Sequence, residues 1–332
     1  MEEFPKIGDF QPKGKFFLAP MEAVNCASFR ILCKRRGAAL VYTDMIDADD
    51  FAEEAKKTSV EKAVKKFVNP QKEEQPLAIQ LIGAKADSLL FTANALEKNA
   101  VLVDFNIGCS IGTVLGKKCG CYLMKHPDQL YKLLKALREN IKKPLTLKMR
   151  SGWDKDSINA VEISKEAEKI GINAVAIHAR TKEQGYRDKS DWELVKEIKK
   201  AVSIPVILSG DVFNDFGADK AFAVTKCDYI MIGRGARANP SIFTQLNKWY
   251  ETKQVTSTRD LIYNKWNVNP AKDFIEFLDL YHKVEDRRSF SEIKDHALWT
   301  AIECKYNRDA TEAIMNAEDE KDLIRIVNLL EF

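Results

Sequence analysis

Eight short apolar runs, each followed by a longer amphipathic stretch, constrain the fold of this chain more than any other feature. The runs are rich in branched side chains, as buried parallel strands are, and they span 16–19, 39–42, 77–81, 101–105, 145–149, 174–177, 205–208 and 229–232. Strict alternation of strands and helices predicts a parallel sheet. Eight strands with a helix between each pair favour a closed (β/α)8 TIM barrel over an open, doubly wound sheet.

The stretches between the runs have the length and periodicity of helices. Predicted helices include 86–99, 128–140, 160–170, 192–201 and 214–225. Gly37 and Gly171 stand where the glycine after a helix C-terminus belongs. These positions support the strand and helix boundaries.

The pattern changes after Asn239-Pro240 and one further helix. Gln254–Thr258 is polar and is interpreted as a linker, and apolar residues beyond it recur at helical spacing. The sequence therefore predicts a catalytic barrel over 1–253 and a small C-terminal helical domain over 258–332. The barrel part has a surplus of basic residues, compatible with a phosphate-rich partner, whereas the tail is acidic, which argues against nucleic acid there.

Composition and the N-terminus indicate a cytoplasmic protein. The first fifteen residues contain no apolar segment typical of a signal peptide, and no stretch approaches the roughly 20 apolar residues of a membrane span. The seven cysteines are an odd number, which argues against a disulfide framework. Each cysteine by default is a small buried apolar residue, and no segment indicates an obligate protein partner.

Polar or reactive side chains follow nearly every predicted strand, and active residues of this fold gather at the C-terminal strand ends. Singly they have ordinary explanations: His178 as a structural histidine, Lys148 as a solvated strand end, Gln80 as a core residue. Their joint placement at one end of a barrel predicts a site instead. Its candidates from the first six strands are Ala19, Pro20, Met21, Gln80, Asn106, Cys109, Lys148, Arg150, His178 and Arg180.

Two glycine-bearing turns follow the last two strands. They are Ser209-Gly210-Asp211 and Gly233-Arg234-Gly235, and each directly precedes a helix. Glycine lets backbone N–H groups approach an anion closely, and this pair of loops is the usual phosphate site of the fold. Arg234 can add a charge-assisted contact, so the turns predict a phosphate-bearing cofactor. The cation of Lys148 could stabilise a reduced flavin, whose N1–C2 edge carries negative charge. The amide of Gln80 could form hydrogen bonds with the edge of the flavin ring that carries both a donor and an acceptor.

With these residues assembled, the chain resembles the tRNA-dihydrouridine synthases. Matching motifs occur in the family's order from near the N-terminus to near the C-terminus. They are Leu18–Val24 with Phe29-Arg30, Asp104–Cys109, Leu145–Gly152, Ile177–Thr181, Met231–Ala236 with Asn239-Pro240, and Lys294–Trp299.

The resemblance implies a reaction and a role for each residue. NADPH or NADH reduces FMN, and reduced FMN delivers hydride to C6 of a tRNA uridine that is flipped out of its stack. Cys109 protonates C5 as a general acid. Asn106 and Arg180 would hold the uracil, and the helical domain over 258–332 would bind tRNA. FMN would be held by Ala19, Pro20, Met21, Gln80, Lys148, His178, Ser209, Gly210, Asp211, Gly233 and Arg234.

Several positions depart from the family pattern. Ser110 replaces a usual proline, Ser209 a usual asparagine, and Val24-Asn25-Cys26 a usual Val-Thr-Asp. These departures suggest a divergent branch, such as an archaeal one, and put substrate choice in question more than flavin binding. Cys109, Cys119 and Cys121 lack a fourth ligand and a Cys-x-x-Cys pair, so we expect no metal.

Two alternatives remain open at this stage. One is a small-molecule FMN oxidoreductase of the dihydroorotate dehydrogenase type. The other is a non-catalytic RNA-binding protein, against which the presence of Cys109, Lys148 and His178 together argues.

Overall fold

The computed structural model describes residues 4–253, 269–302 and 307–330. Eight parallel strands form one sheet in the order β1-β8-β7-β6-β5-β4-β3-β2. The strands are β1 Phe16–Leu18, β2 Val41–Asp47, β3 Leu77–Ile82, β4 Leu102–Asn106, β5 Leu145–Gly152, β6 Ala174–Thr181, β7 Val206–Ser209 and β8 Tyr229–Ile232.

The sheet closes on itself beside β1. The backbone N–H of Leu18 donates to the carbonyl of Leu40, directly before β2, and Phe17 and Leu40 form a parallel bridge. On its other edge β1 pairs with β8 through Phe16 and Ile230. The prediction of a (β/α)8 barrel is therefore confirmed.

The helices of the barrel part alternate with the strands. They are α1 Ala27–Arg35, α2 Ala48–Lys57, α3 Val60–Phe67, α4 Ala86–Leu96, α5 Gly112–Gly116, α6 Cys121–Lys125, α7 Pro127–Asn140, α8 Ala160–Ile170, α9 Trp192–Ala201, α10 Asp215–Thr225, α11 Arg234–Ala238 and α12 Ile242–Thr252. Gly37 and Gly171 have φ of +100° and +98°, which explains why glycine follows α1 and α8. Short 3-10 turns lie at Lys72–Glu74 and Glu97–Asn99.

Two apolar layers hold the barrel together. Side chains from alternate strand positions, such as Phe17, Tyr42 and Tyr229, fill the barrel interior together with Ile7. The opposite faces of the strands pack against the surrounding helices. Because the interior is filled with side chains, the space available to a ligand lies at the ends of the strands.

The tail contains four described helices: α13 Pro270–Val284, α14 Phe290–Ala301, α15 Asn307–Asn316 and α16 Glu320–Asn328. They confirm C-terminal helices after the barrel. Arg36, directly after α1, donates to Asp273 and Glu276 of α13, and the ring of Phe29 lies 5.3 Å from that of His296. The proposed linker Gln254–Thr258 and the start of the second domain at Thr258 lie outside the described residues. No helix in the described ranges combines the length and apolar composition needed to cross a membrane.

Candidate active site

A cavity of about 810 Å³ opens at the C-terminal ends of the strands. All the site residues expected from the sequence except Arg180 line it: Ala19, Pro20, Met21, Gln80, Asn106, Cys109, Lys148, His178, Ser209, Gly210, Asp211, Gly233 and Arg234. The barrel topology brings them together although they are far apart along the chain, because all eight strands run in the same direction.

The thiol of Cys109 reaches this cavity from the loop after β4. The backbone N–H of Cys109 donates to Asn106 Oδ1 at 3.0 Å, and its carbonyl accepts from the N–H of Cys121 at 2.9 Å. Burial raises the pKa of the Cys109 thiol, while Lys148 and Arg150 act in the opposite direction. At neutral pH the thiol keeps its proton, which suits a proton donor and not a thiolate nucleophile.

Lys148 stands on β5, next to Asn106 of β4 in the strand register. Burial lowers the pKa of its ammonium group, and the carboxylate of Asp104 opposes this shift. A cation inside the barrel mouth is costly to bury unless negative charge lies near it. An anionic group bound in the cavity would supply more of that charge.

His178 is 8% exposed and neutral. Burial, followed by the charges of Lys148 and three arginines, lowers its pKa to about 2. Its Nε2 lies 3.1 Å from Nη1 of Arg180. Because a guanidinium only donates, Nε2 accepts and the proton of the ring is on Nδ1.

Arg180 lies behind this wall of the cavity, where it is 2% exposed. Its Nη2 donates to both carboxylate oxygens of Asp211, at 2.9 and 2.7 Å, and to the carbonyl of Asp188 at 2.6 Å. Asp211 also accepts from Arg234 at 3.0 Å. The structure thus places Arg180 as a support for His178 and Asp211, away from the position expected of a residue that contacts substrate.

The turn after β7 requires glycine at its centre. Gly210 has φ of +121°, and a Cβ there would lie 3.0 Å from Cδ2 of His178 and 3.2 Å from Oγ of Ser190. The backbone therefore packs directly on the histidine ring. All three residues of the turn line the cavity, at the place where this fold usually binds an anion.

Two aromatic residues at the rim were missed by sequence reasoning. Tyr186 is 64% exposed and Phe213 50% exposed, and both rings lie near the guanidinium of Arg234, at 4.8 and 5.4 Å from the ring centroids. They lie in loops beyond the strand ends, where neither apolar periodicity nor strand position marks them. Met45, which the sequence also did not mark, lines the cavity, and so does Arg150, which was expected from its place directly after the fifth apolar run.

Cys119 and Cys121, the other cysteines of this segment, are buried. Burial raises the pKa of Cys119 to about 11 and that of Cys121 to about 12. In the described part of the chain, no three His, Cys, Asp or Glu side chains are grouped so as to hold a metal ion.

Comparison with known proteins identifies the family. The family model for dihydrouridine synthase (Dus) matches residues 17–331. The chain belongs to the dihydrouridine synthase family. It is 36% identical to tRNA-dihydrouridine synthase B of Vibrio vulnificus, over 74% of this chain and 75% of that protein. It is 31% identical to a probable tRNA-dihydrouridine synthase of Aquifex aeolicus, over 94% of this chain and 95% of that protein.

The family membership confirms the resemblance found in the sequence and makes the chain an enzyme. Solved structures with lower identity share its fold. Histamine dehydrogenase from Rhizobium sp. 4-9 has a TM-score of 0.55 at 12% identity, over 84% of this chain and 50% of that one. A 2-naphthoyl-CoA reductase has a TM-score of 0.54 at 15% identity, over 75% of this chain and 51% of that one.

Proposed function

We propose that this dihydrouridine synthase reduces uridine to 5,6-dihydrouridine in tRNA, with FMN as cofactor and NADPH or NADH as reductant. The observation that carries the proposal is the joint presence of Cys109, Asn106 and Lys148 around one cavity at the strand ends. Relatives named tRNA-dihydrouridine synthase support tRNA as the substrate. We propose a cytoplasmic location, without an obligate protein partner.

The residues around the cavity fit FMN. The turns at Gly210 and Gly233 with the guanidinium of Arg234 suit its phosphate, and the partly buried ammonium group of Lys148 suits the negative edge of a reduced ring. Gln80 and His178 can donate hydrogen bonds to ring or ribityl oxygens. When bound, the flavin supplies the hydride that reduces C6 of the uracil. Asp211, a carboxylate, acts by holding Arg180 and Arg234 in place.

Cys109 supplies the proton for C5 of the uracil. Its raised pKa keeps the thiol protonated until the ring has become electron-rich. Lys148 and Arg150, whose charges favour the thiolate, stabilise it after the transfer. Arg150 is itself held by the carbonyls of Gly108, Thr181 and Gly185, at 3.1, 3.0 and 2.8 Å.

Asn106 contacts the uracil, and Arg180 acts indirectly, through His178. The target base must leave its stack to reach the cavity, and the exposed ring of Tyr186 at the rim offers an apolar face for an unstacked base. Lys117, directly after α5, pairs with Asp47 and Asp50 at 2.7 and 2.9 Å, so its charge is already matched within the protein.

The proposal is tested by mapping dihydrouridine in tRNA from a strain that lacks this protein and any redundant synthase. We expect dihydrouridine to disappear from at least one position and to return when the gene is restored. Purified protein should carry the absorbance of a flavin. A flavin-bearing protein whose loss leaves every dihydrouridine unchanged would favour the small-molecule oxidoreductase instead.

A further inference from the structure

A chain of hydrogen bonds runs from the barrel interior to the backbone of Cys109. Asp104 is 0% exposed, and its Oδ2 accepts from Nε2 of Gln80 at 2.7 Å. Gln80 Oε1 accepts from Nδ2 of Asn106 at 2.8 Å. Asn106 Oδ1 accepts from the backbone N–H groups of Gly108 at 2.8 Å and Cys109 at 3.0 Å.

The donors and acceptors in this series of hydrogen bonds can be arranged in only one way, which is fixed by the groups at its two ends. Backbone N–H groups can only donate, so the amide oxygen of Asn106 must face the loop and its NH2 group must face Gln80. The oxygen of Gln80 must then face Asn106, which leaves its NH2 group facing Asp104. A residue at position 104 must therefore accept a hydrogen bond, and a carboxylate does so in either orientation.

We propose that Asp104 is a positioning residue that orients both amides, holds the loop of Cys109, and leaves Asn106 able only to donate into the cavity, because both lone pairs of its amide oxygen are taken by the backbone of Gly108 and Cys109. Each amide NH2 has one hydrogen left after the chain is formed. The free hydrogen of Asn106 is directed to Met45 Sδ at 3.4 Å, and thioether sulfur is a weak acceptor that a ligand oxygen displaces easily. Asn106 thus presents a donor to a carbonyl oxygen of a pyrimidine, and no acceptor to its N–H.

Asp104 is also suited to this place by its surroundings. The hydroxyl of Thr146 donates to its other carboxylate oxygen, so both oxygens are satisfied inside the barrel. Burial raises the pKa of Asp104 to about 6, and the group is therefore a carboxylate at neutral pH. The inference rests on the proposed role of Cys109, but it concerns an interior contact that forms whether or not RNA is the substrate.

The test measures how fast iodoacetamide alkylates Cys109 in purified, flavin-containing protein. Peptide mass spectrometry gives the rate, and fully buried Cys33 serves as internal reference. Asp104→Leu removes the acceptor, and we expect Cys109 alkylation to rise about tenfold, the change expected from loss of one buried hydrogen bond. The same variant should raise the KM for the RNA substrate more than it lowers kcat, because free amides no longer face the substrate in one orientation.

Two variants control for loss of a buried polar group. Asp104→Asn keeps one oxygen that can accept from Gln80, so its alkylation rate should stay near that of the unmodified protein. Thr146→Val removes the other donor to Asp104 without interrupting the chain, and it should leave the rate unchanged. If Asp104→Leu does not fold, Gln80→Leu interrupts the same chain and should show the same increase.

An unchanged alkylation rate in Asp104→Leu, or in Gln80→Leu where that variant is used, would overturn the proposal. The proposal would also be overturned if Cys109 were alkylated as fast in Asp104→Asn as in Asp104→Leu. That result would mean that the charge of Asp104, and not its ability to accept a hydrogen bond, holds the loop. Alkylation requires neither RNA nor turnover. A protein inactive on tRNA that shows the expected pattern would therefore disprove the proposed function alone.

Discussion

The carboxylate of Glu285, which directly follows α13 in the tail, accepts two hydrogen bonds from Ser28 in the barrel. Its Oε1 accepts from the backbone N–H at 2.9 Å and from the hydroxyl at 2.7 Å. Ser28 is the second residue of α1, and the residue at the cap position, Cys26, makes no side-chain capping bond. A residue 257 positions away thus supplies the cap that an Asp or Ser normally gives.

Replacing Glu285 by alanine should weaken the attachment of the tail to the barrel. The change leaves the N–H of Ser28 without an acceptor, which costs about 1–2 kcal/mol and lowers Tm by about 1–3 °C. Differential scanning fluorimetry provides the measurement. The matched control is Asp286→Ala, which breaks an exposed pair with Lys65 and should cost at most about 0.5 kcal/mol.

Cys26→Asp in the Glu285→Ala background should recover most of the lost stability, because aspartate at the cap position can accept from the same N–H. In the unmodified protein the same substitution should give no gain, since two carboxylates would then compete for one donor. Equal effects of Cys26→Asp in both backgrounds would contradict the capping role of Glu285.

Lys148→Met should lower the reduction potential of the bound flavin. Methionine keeps the length of the side chain but removes the cation expected beside the negative edge of the reduced ring. We expect a fall of about 30 mV or more, which corresponds to one weak charge interaction. Spectroelectrochemical titration measures it. Lys143→Met is the control, because Lys143 lies two residues before the start of β5, at the barrel end opposite the cavity. A shift of equal size in that variant would show that the effect is not local.

Much of this architecture was predictable from the sequence, because each strand is short, apolar and followed by an amphipathic helix. The helices 160–170 and 192–201 agree at both ends with α8 and α9. The strand ends were predicted less accurately: the apolar runs end at 149 and 177, whereas β5 and β6 continue to Gly152 and Thr181. Those extensions contain Arg150 and His178, two polar residues that line the cavity, and the polar sequence of such a strand end is similar to that of a loop.

The positions of strand ends also predicted most of the cavity wall, whereas the direction of each side chain depends on its neighbours in space. His178 and Arg180 are two residues apart on β6 and were both expected at the ligand. Arg180 instead turns toward Asp211 of another loop and toward the carbonyls of Arg187 and Asp188. The path of that last loop, which also places Tyr186 at the rim, has no periodic pattern from which it could be predicted.

Cys109→Ala should abolish uridine reduction and leave the flavin in place. Removing a general acid typically costs about 10²–10⁴ in rate, and the alanine retains the backbone N–H that Asn106 holds. Single-turnover reduction of tRNA by pre-reduced enzyme, with flavin content measured by absorbance, separates the two effects. Cys119→Ala removes a buried thiol of the same segment and should keep the normal rate. Full activity of Cys109→Ala would contradict the role of the thiol.

His296 should make the barrel–tail interface sensitive to acid. The ring is 6% exposed and stacks on Phe277 at 3.9 Å, and burial lowers its pKa to about 3. Between pH 6.5 and 3 the unfolded chain therefore binds a proton at His296 that the folded protein does not bind. Stability from this group is complete above pH 6.5 and is lost as the pH falls, by about 1.4 kcal/mol at pH 5.5.

His296→Phe retains an aromatic ring at this position and removes the titration. Urea unfolding at pH 7.5 and 5.5 should show that the unmodified protein loses about 1.4 kcal/mol more than the variant between these two values. His178, with its lowered pKa, also makes the folded protein less stable as the pH falls. Asp44 and Asp104, with pKa values raised to about 6, have the opposite effect on stability. These groups are present in both proteins, so the difference between the two pH dependences isolates His296. Parallel pH dependences would show that His296 binds its proton equally in the folded and unfolded states, in conflict with its burial against Phe277.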